Sequence, residues 1–251
     1  MSDILIFGGT TEGRELAQFC ADSGITADIC VATDYGAKVL PKSDLLKIGI
    51  GRLDCDDMKD LMMNGYKMVI DATHPFAEEV TKNIRSACDS TGNVYYRLLR
   101  EETEVTYGLK VRSMDELVEV LNISDGIILS TLGSKEAGKL TEVRDFRDRI
   151  WIRALPDDKV REMCVSLGYD KNKLILEKGP FSAEQNLRHI KLSGADIVVT
   201  KESGSAGGYT KKAEAAKLCG AALVTVVRPE ETGLSMVEIQ QLLLQSKEVR
   251  M

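Results

Sequence analysis

The chain has 251 residues, of which 43% are hydrophobic and 29% are charged, and its formal net charge is −6. This composition is ordinary for a globular protein, and the acidic balance argues against nucleic acids and membrane surfaces as partners, because both attract basic proteins. Two histidines and six scattered cysteines without a Cys-x-x-Cys pair argue against a metal site and predict reduced thiols. Without an apolar run of about 20 residues, we expect a soluble cytoplasmic protein that is a monomer or a small homo-oligomer.

Short apolar segments alternate with longer amphipathic segments along the chain. The apolar segments predict strands over residues 4–7, 27–32, 45–48, 68–70, 94–98, 109–112, 126–130, 150–154, 174–176, 197–200 and 223–227. Apolar positions at three- and four-residue spacing predict helices over residues 11–23, 54–64, 76–91, 114–121, 135–143, 157–167, 183–192, 210–219 and 235–245. Strands that are apolar throughout and are joined by helices are typical of parallel sheets covered on both faces. The predicted fold class is therefore α/β.

The polar stretch at residues 100–106 has no periodicity and divides the strands into two series. About ten strands are also many for one open sheet. We therefore predict two α/β domains, residues 1–100 and residues 107–251, with a cleft between them. The sequence leaves open whether the last helix packs on the second domain or on the first.

A glycine-rich turn joins the first predicted strand to the first predicted helix. The N–H groups and the dipole at the start of a helix favour an anion such as a pyrophosphate. The dinucleotide-binding fingerprint expects glycines at positions 8, 10 and 13, and Thr10 replaces the second of them, so the motif is partial. The motif favours a nicotinamide dinucleotide, with a purely structural turn as the alternative. The residues that we expect to contact the cofactor here are Gly8, Gly9, Thr10, Thr11, Glu12, Gly13 and Arg14.

The end of the second predicted strand is where a dinucleotide-binding fold places an acid against the ribose, about 20 residues after the glycines. Thr33 and Asp34 occupy this position. The Asp34 carboxylate would repel the 2′-phosphate of NADPH, whereas Thr33 is compatible with either cofactor. We expect both residues to contact NADH or NADPH, with a slight preference for NADH.

Residues 133–140 follow a predicted strand and fit the pattern Gly-x-x-x-x-Gly-Lys of a phosphate-binding loop. The position that should be Ser or Thr, to hold Mg²⁺, is Leu140. This defect argues against an ATP-dependent enzyme. The favoured interpretation is a second glycine-rich turn that carries Lys135 or Lys139 towards a ligand.

Two further motifs follow apolar strands. One is Asp-Ala-Thr-His-Pro-Phe-Ala at residues 71–77, and the other is the basic, glycine-rich segment at residues 199–211. Together with residues 8–14 and with Lys-Gly-Pro-Phe-Ser at residues 178–182, they closely resemble the precorrin-6A reductase family of cobalamin biosynthesis. The resemblance implies two Rossmann-like domains with the active site in the cleft between them. It also implies hydride transfer from NADH or NADPH to a ring double bond of precorrin-6A, or of its cobalt form, to give the corresponding precorrin-6B.

The resemblance also implies roles for individual residues. Thr73, His74 and Pro75 would border the cofactor. His74 is the candidate proton donor, although it could equally shape the pocket while water delivers the proton. An anionic tetrapyrrole would be held by lysine side chains and by the N–H groups of a glycine-rich loop. The residues that we expect to contact it are Lys135, Lys178, Lys201, Ser203, Gly204, Gly207, Gly208 and Lys211, whereas Lys212 and Lys217 are expected on solvated helix faces.

Two other functions stay open at this point. The chain could be an NAD(P)-dependent oxidoreductase that acts on another anionic small molecule. It could also be a non-catalytic module that senses a dinucleotide, with the second glycine-rich loop contacting a protein partner. A basic loop at the carboxyl end of a strand is how α/β folds build substrate sites, which disfavours the sensor.

Overall fold

The computed structural model describes residues 2–100, 107–204 and 208–248, with the backbone alone for residues 247 and 248. The described residues form two compact units. The first contains residues 2–100 and 230–248, and the second contains residues 107–204 and 208–229. Each unit is built on its own parallel sheet covered by helices, which confirms the α/β prediction. In the part of the chain that is described, no helix has the length and apolar character that a membrane crossing requires.

The first unit contains a five-stranded sheet. Its strands are β1 (Ile4–Phe7), β2 (Ala27–Val31), β3 (Leu46–Ile50), β4 (Met68–Asp71) and β5 (Val94–Arg97). They are parallel and lie in the order β3-β2-β1-β4-β5. The helices of this unit are α1 (Thr11–Asp22), α2 (Asp34–Lys38), α3 (Cys55–Met62), α4 (Glu78–Thr91) and α11 (Met236–Glu248).

Helices cover both faces of this sheet, which is why its central strand β1 is apolar and buried at every position. Ile6 of β1 belongs to a buried cluster that includes Leu16 of α1 and Leu243 of α11. Its neighbour Phe7 belongs to the cluster on the other face, with Met58 of α3. Helix α11 therefore completes the core of the first unit, although it follows the second unit in sequence.

The chain returns to the first unit at residue 230. Leu234 forms a parallel bridge with Leu98 beside β5, and its N–H donates to the carbonyl oxygen of Arg97 at 2.8 Å. A Cβ on Gly233 would overlap that oxygen, so only glycine permits the approach. The segment from residue 230 onward, which the sequence assigned to the second domain, thus lies with the first unit. The predicted boundary at residues 101–106 falls outside the described residues.

The second unit contains a six-stranded sheet. Its strands are β6 (Leu109–Val111), β7 (Ile128–Ser130), β8 (Ile150–Ala154), β9 (Leu174–Leu176), β10 (Ile197–Lys201) and β11 (Ala222–Val226). They are parallel and lie in the order β6-β11-β10-β7-β8-β9. The helices of this unit are α5 (Met114–Ile123), α6 (Ala137–Leu140), α7 (Phe146–Arg149), α8 (Asp158–Ser166), α9 (Ala183–Ser193) and α10 (Tyr209–Cys219).

Of the predicted helices that are shorter than expected, two differ within candidate loops. The helix predicted over residues 76–91 begins only at Glu78, because a turn that contains Pro75 is closed by a hydrogen bond from the N–H of Ala77 to the carbonyl of His74, at 2.8 Å. The helix predicted over residues 135–143 is a 3₁₀ turn, Ser134–Glu136, followed by the four residues of α6. Bonds between residues three apart end α6, and Gly138 within it is a poor helix former.

Candidate functional site

The glycine-rich turn lies at the carboxyl end of β1, in the middle of the first sheet. From β1 the chain goes to β2 and β3 on one side, and it then returns to form β4 and β5 on the other. The connections that leave β1 and β4 therefore diverge, and open α/β sheets bind ligands at such a point. The turn at residues 8–14 and the loop that follows β4 both lie there.

Thr10 explains why the glycine fingerprint is broken. Its hydroxyl accepts a hydrogen bond from the N–H of Gly13 at 3.0 Å, which caps α1, and donates to the carbonyl oxygen of Ala72 at 2.8 Å. A glycine at this position could do neither. The hydroxyl therefore ties the turn to the loop after β4, so the two cofactor motifs that the sequence predicted lie side by side.

The turn fits the pyrophosphate of a dinucleotide. Gly9 has φ +113°, a conformation that other residues rarely adopt, and a Cβ built on it would meet nothing within 4 Å, so the space in front of the turn is open. A Cβ on Gly13 would lie 3.2 Å from Cα of Gly8 and 3.4 Å from Cβ of Ala72, so Gly13 lets α1 pack closely against the strands. The N–H groups of a first helical turn have no acceptor within the helix and favour an anion; in α1, Thr10 caps that of Gly13. Arg14, also predicted here, is exposed on α1.

Glu12 is held in the first turn of α1 by an ion pair with Arg100, Oε2 to Nη2, at 2.6 Å. Burial of Glu12 alone would raise its pKa. Hydrogen bonds from Arg100, from the Glu12 backbone and from Thr10, together with the charge of Arg100, outweigh burial, and the pKa of the carboxyl is lowered. Glu12 is therefore ionised, and Arg100 neutralises it beside the turn. Thr11, the first residue of α1, is half-buried.

Asp71, the last residue of β4, is fully buried and holds the loop that follows this strand. Asp71 Oδ1 accepts from the N–H of Thr73 at 3.0 Å and from its hydroxyl at 2.6 Å. Pro75 lies in the turn that precedes α4. The Nδ1 of His74 accepts from the N–H of Phe76 at 3.3 Å, and this hydrogen bond assigns the proton of a neutral His74 ring to Nε2.

Asp71 belongs to a buried ion-pair network that the sequence analysis missed. Arg97 Nη1 lies 2.8 Å from Asp71 Oδ1, and Arg97 Nε lies 2.9 Å from Glu231 Oε1 on the returning segment. Tyr95 donates its hydroxyl proton to Asp71 Oδ2 at 3.0 Å. Each oxygen of Asp71 therefore has a donor, and the network fixes the loop that carries Thr73 and His74.

Thr33 and Asp34 lie at the carboxyl end of β2, next to β1, and both are exposed. The Thr33 hydroxyl caps the short helix α2 by accepting from the N–H of Gly36 at 3.1 Å. Asp34 is the first residue of α2.

In the second unit, the loops that follow β7 and β10 lie at the corresponding point of divergence. These strands are neighbours, and the chain runs from β7 towards β8 and β9 before it returns to β10 on the other side. Lys201, at the end of β10, pairs with Glu136 in the turn after β7, with 2.6 Å between Nζ and Oε1. Lys135 is the exposed neighbour of Glu136. The structure thus places Lys201 against the turn that carries Lys135.

Several predicted substrate residues follow β10 directly. Ser203 is half-buried, Gly204 is buried, and the carbonyl of Gly204 accepts from the N–H of Tyr209 at 3.2 Å. Gly208, with φ +71°, is the N-cap of α10, and Lys211 is exposed in the first turn of that helix. Gly207 lies outside the described residues.

Lys178 is placed differently from the other predicted lysines. It is exposed just after β9, which is three strands from β10. At the strand spacing of parallel sheets this is roughly 14 Å from the end of β10. Lys178 could therefore reach only a different part of a large ligand.

The ATP-binding alternative loses its remaining support. In a phosphate-binding loop, the lysine after the second glycine reaches the phosphates. Here that lysine, Lys139, pairs with Asp115 at 2.6 Å and with Glu142 at 2.7 Å. Among the residues described, no group of three or more His, Cys, Asp or Glu side chains is arranged to hold a metal ion.

Two cations of the second unit were not recognised from the sequence. Arg153 lies in the apolar strand β8 and is 4% exposed. The prediction that Lys212 lies on a solvated helix face is wrong, because Lys212 is half-buried. Burial, and after it the charge of Arg153, lowers the pKa of Lys212 to about 8. A charged residue within an otherwise apolar strand was the available sequence signal for Arg153.

Comparison with known proteins identifies the family. A family model described as Precorrin-6x reductase CbiJ/CobK matches residues 3–245. The chain is 36% identical to a cobalt-precorrin-6A reductase of Priestia megaterium, over 90% of this chain and 91% of that protein. It is 32% identical to a cobalt-precorrin-6A reductase of Methanothermobacter thermautotrophicus, over 90% and 76% of the two chains. A solved structure described as CobK precorrin-6A reductase has the same fold, with a TM-score of 0.74 and 23% identity over 98% of this chain and 97% of that one. This chain therefore belongs to the precorrin-6x reductase family.

Proposed function

We propose that this chain is a precorrin-6A reductase of cobalamin biosynthesis that uses NADH or NADPH to reduce one ring double bond of precorrin-6A or cobalt-precorrin-6A. The observation that carries the proposal is the hydrogen bond between Thr10 and Ala72. It joins the glycine-rich turn to the loop with the Thr-His-Pro motif, at the point of the first sheet where dinucleotides bind in related folds. Membership of the family supplies the reaction.

The residues of the first unit would bind and orient the cofactor. The first turn of α1 and the open space at Gly9 suit the pyrophosphate, and Thr73, His74 and Pro75 suit the neighbouring part of the dinucleotide. When bound, the reduced nicotinamide supplies a hydride to one carbon of the double bond, and the adjacent carbon takes a proton. His74 would hold that proton on Nε2, since its Nδ1 is an acceptor; water is the other source.

The second unit would bind the substrate through its carboxylates. Lys135 and Lys201 lie at the divergence of β7 and β10, and Lys211 lies in the first turn of α10. Lysine suits flexible acetate and propionate side chains because its charge is compact and its stem adapts. The macrocycle supplies the ligands of any cobalt ion, so the chain itself requires no metal ligands.

The function is tested by incubating the purified protein with cobalt-precorrin-6A or metal-free precorrin-6A and with NADH or NADPH. Oxidation of the cofactor together with a change in the corrinoid spectrum is the expected result, and the faster of the two tetrapyrroles is the substrate. Oxidation only with another anionic small molecule would favour the second oxidoreductase. Cofactor binding without oxidation by either tetrapyrrole would favour the sensor and overturn the reductase.

We expect a lower KM for NADH than for NADPH, because the Asp34 carboxylate at the end of β2 repels a 2′-phosphate. Asp34→Asn should lower the KM for NADPH by about threefold, since an exposed charge contributes about 1 kcal/mol or less, and should leave the KM for NADH unchanged. Asp60→Asn, an exposed aspartate on α3, is the control. If Asp34→Asn changed the KM for NADH and the KM for NADPH equally, Asp34 would not lie next to the 2′-position of the cofactor ribose.

If Lys201 binds a substrate carboxylate, substitutions of Lys201 and of Glu136 should change the KM for the tetrapyrrole in opposite directions. Lys201→Met should raise the KM for the tetrapyrrole roughly fivefold, or about 1 kcal/mol. Glu136→Gln should lower this KM, because it removes the competing carboxylate 2.6 Å from Nζ. Lys171→Met, an exposed lysine of the same unit, is the control. If both variants leave the KM unchanged, the pair only holds the two loops together.

A further inference from the structure

Arg153 is a buried cation near the carboxyl end of β8. Its guanidinium lies over the ring of Phe181, 4.2 Å from the centroid. Nη1 lies 2.7 Å from Asn186 Oδ1 and 3.2 Å from His189 Nδ1 on α9. Burial of a charge is unfavourable unless an opposite charge compensates it. The groups that contact Arg153 therefore show whether an opposite charge compensates its burial.

The two hydrogen-bond partners of Arg153 are neutral. Asn186 is an amide, and His189 is fully buried, with its pKa lowered by burial and then by the charge of Arg153. Since His189 Nδ1 accepts from Arg153, its ring proton is on Nε2, which lies 3.2 Å from Glu177 Oε2. Glu177 is paired with Arg188 at 2.8 Å. The charge of Glu177 favours the charged form of Arg153 from beyond His189, but over residues 107–204 and 208–229 no carboxylate forms a direct ion pair with Arg153.

These contacts use only one nitrogen of the guanidinium. Within the described chain, every hydrogen bond of Arg153 comes from Nη1, whose two protons are directed to Asn186 and His189. The remaining donors, Nε–H and Nη2–H, lie on the side of the guanidinium that binds a carboxylate through two parallel hydrogen bonds. Phe181, Asn186 and His189 hold the guanidinium in place, so little side-chain entropy would be lost on binding.

Lys212 adds a second positive charge to the same region. It lies in the first turn of α10, and α10 packs against α9, which carries the partners of Arg153. The depressed pKa of Lys212 has burial as its main cause and Arg153 as the next, so the two cations repel each other in a poorly solvated place. An anion bound near both would relieve this repulsion, and the amino end of α10 would add a favourable dipole.

We infer that Arg153 and Lys212 form a carboxylate-binding subsite of the second unit, in which Arg153 binds an acetate or propionate group of the tetrapyrrole through Nε and Nη2 while Lys212 contributes a second charge. The inference rests on the proposed function, because it assigns a specific group of the proposed substrate to these residues. This subsite does not include the lysines that were predicted from the sequence to bind the substrate, and its arginine lies within a strand.

The test is steady-state kinetics of Arg153→Met, Arg153→Lys and Lys212→Met with cobalt-precorrin-6A and NADH. The Met variants should each raise the KM for the tetrapyrrole by about tenfold, with kcat and the KM for NADH unchanged. Arg153→Lys keeps the charge but loses the paired donors, so its KM should rise by about as much. The matched controls are Arg161→Met on α8 and Lys217→Met on α10, both exposed.

The outcomes separate the subsite from the proposed function. The fluorescence of Trp151, in the same strand, shows whether Arg153→Met folds. If it does not fold, the KM values of Arg153→Lys and Lys212→Met test the subsite. Wild-type turnover with an unchanged tetrapyrrole KM in these variants would overturn the subsite alone. Absence of wild-type turnover would overturn the proposed function; calorimetric titration with cobalt-precorrin-6A would then test the subsite separately, and equal dissociation constants for wild type and Lys212→Met would overturn it.

Discussion

Gly9→Val is expected to weaken NADH and NADPH binding by at least about 100-fold, roughly 2.7 kcal/mol, while both sheets stay folded. Gly9 has φ +113°, which valine cannot adopt without strain. The backbone of the variant would rotate and redirect the N–H groups of the turn. The new side chain would also enter the open space in front of α1, where we place the pyrophosphate. Isothermal titration calorimetry with each cofactor measures the effect.

Gly65→Val is the matched control for this prediction. Gly65 has φ +90°, is exposed and has open space around its missing Cβ, but it lies before β4, away from the carboxyl ends of the strands. Both variants should therefore lose stability to a similar extent, and only Gly9→Val should lose affinity. Unchanged affinity in both would show that the turn has a structural role alone.

The parts of the candidate site that could be predicted are local in sequence. A strand, a glycine-rich turn and a helix start occupy consecutive residues 4–14, so their relation follows from spacing alone. The role of Thr10 could not be predicted, because its second partner, Ala72, is 62 residues away. The sequence showed a defect in the fingerprint, and the structure shows a tertiary hydrogen bond that requires a hydroxyl there.

The ion pairs of the two units were also beyond prediction. Arg97 and Glu231 are 134 residues apart, and Lys201 and Glu136 are 65 apart. Such pairs depend on the order of the strands in each sheet and on the return of the chain at residue 230, which periodicity does not specify. The exposure of Lys212 was predicted wrongly for a related reason. The amphipathic pattern of residues 210–219 is weak, and the packing of α10 against α9 is a tertiary contact that this pattern does not specify.

Arg97→Met is expected to lower the free energy of unfolding of the first unit by about 3–5 kcal/mol. The side chain of Arg97 is 1% exposed and those of Asp71 and Glu231 are 0% and 14% exposed, so the variant leaves a buried carboxylate without a counter-ion. Hydrogen–deuterium exchange of β1 and β4 measures the stability of this unit. Trp151, the single tryptophan, lies in β8, so its fluorescence reports on the second unit, which should be unaffected.

Two further variants test whether an uncompensated buried charge causes the loss of stability in Arg97→Met. Lys67→Met breaks the exposed pair with Asp3 and should cost less than about 1 kcal/mol. Adding Asp71→Asn to Arg97→Met removes the more deeply buried of the two carboxylates that lose Arg97, and leaves Glu231. It should restore about 1 kcal/mol or more, a coupling typical of residues in direct contact. A cost for Arg97→Met no greater than that for Lys67→Met would mean that the network does not stabilise the unit. The loop with Thr73 and His74 would then be held by its hydrogen bonds, from Thr10 to Ala72 and from Thr73 to Asp71, and by packing.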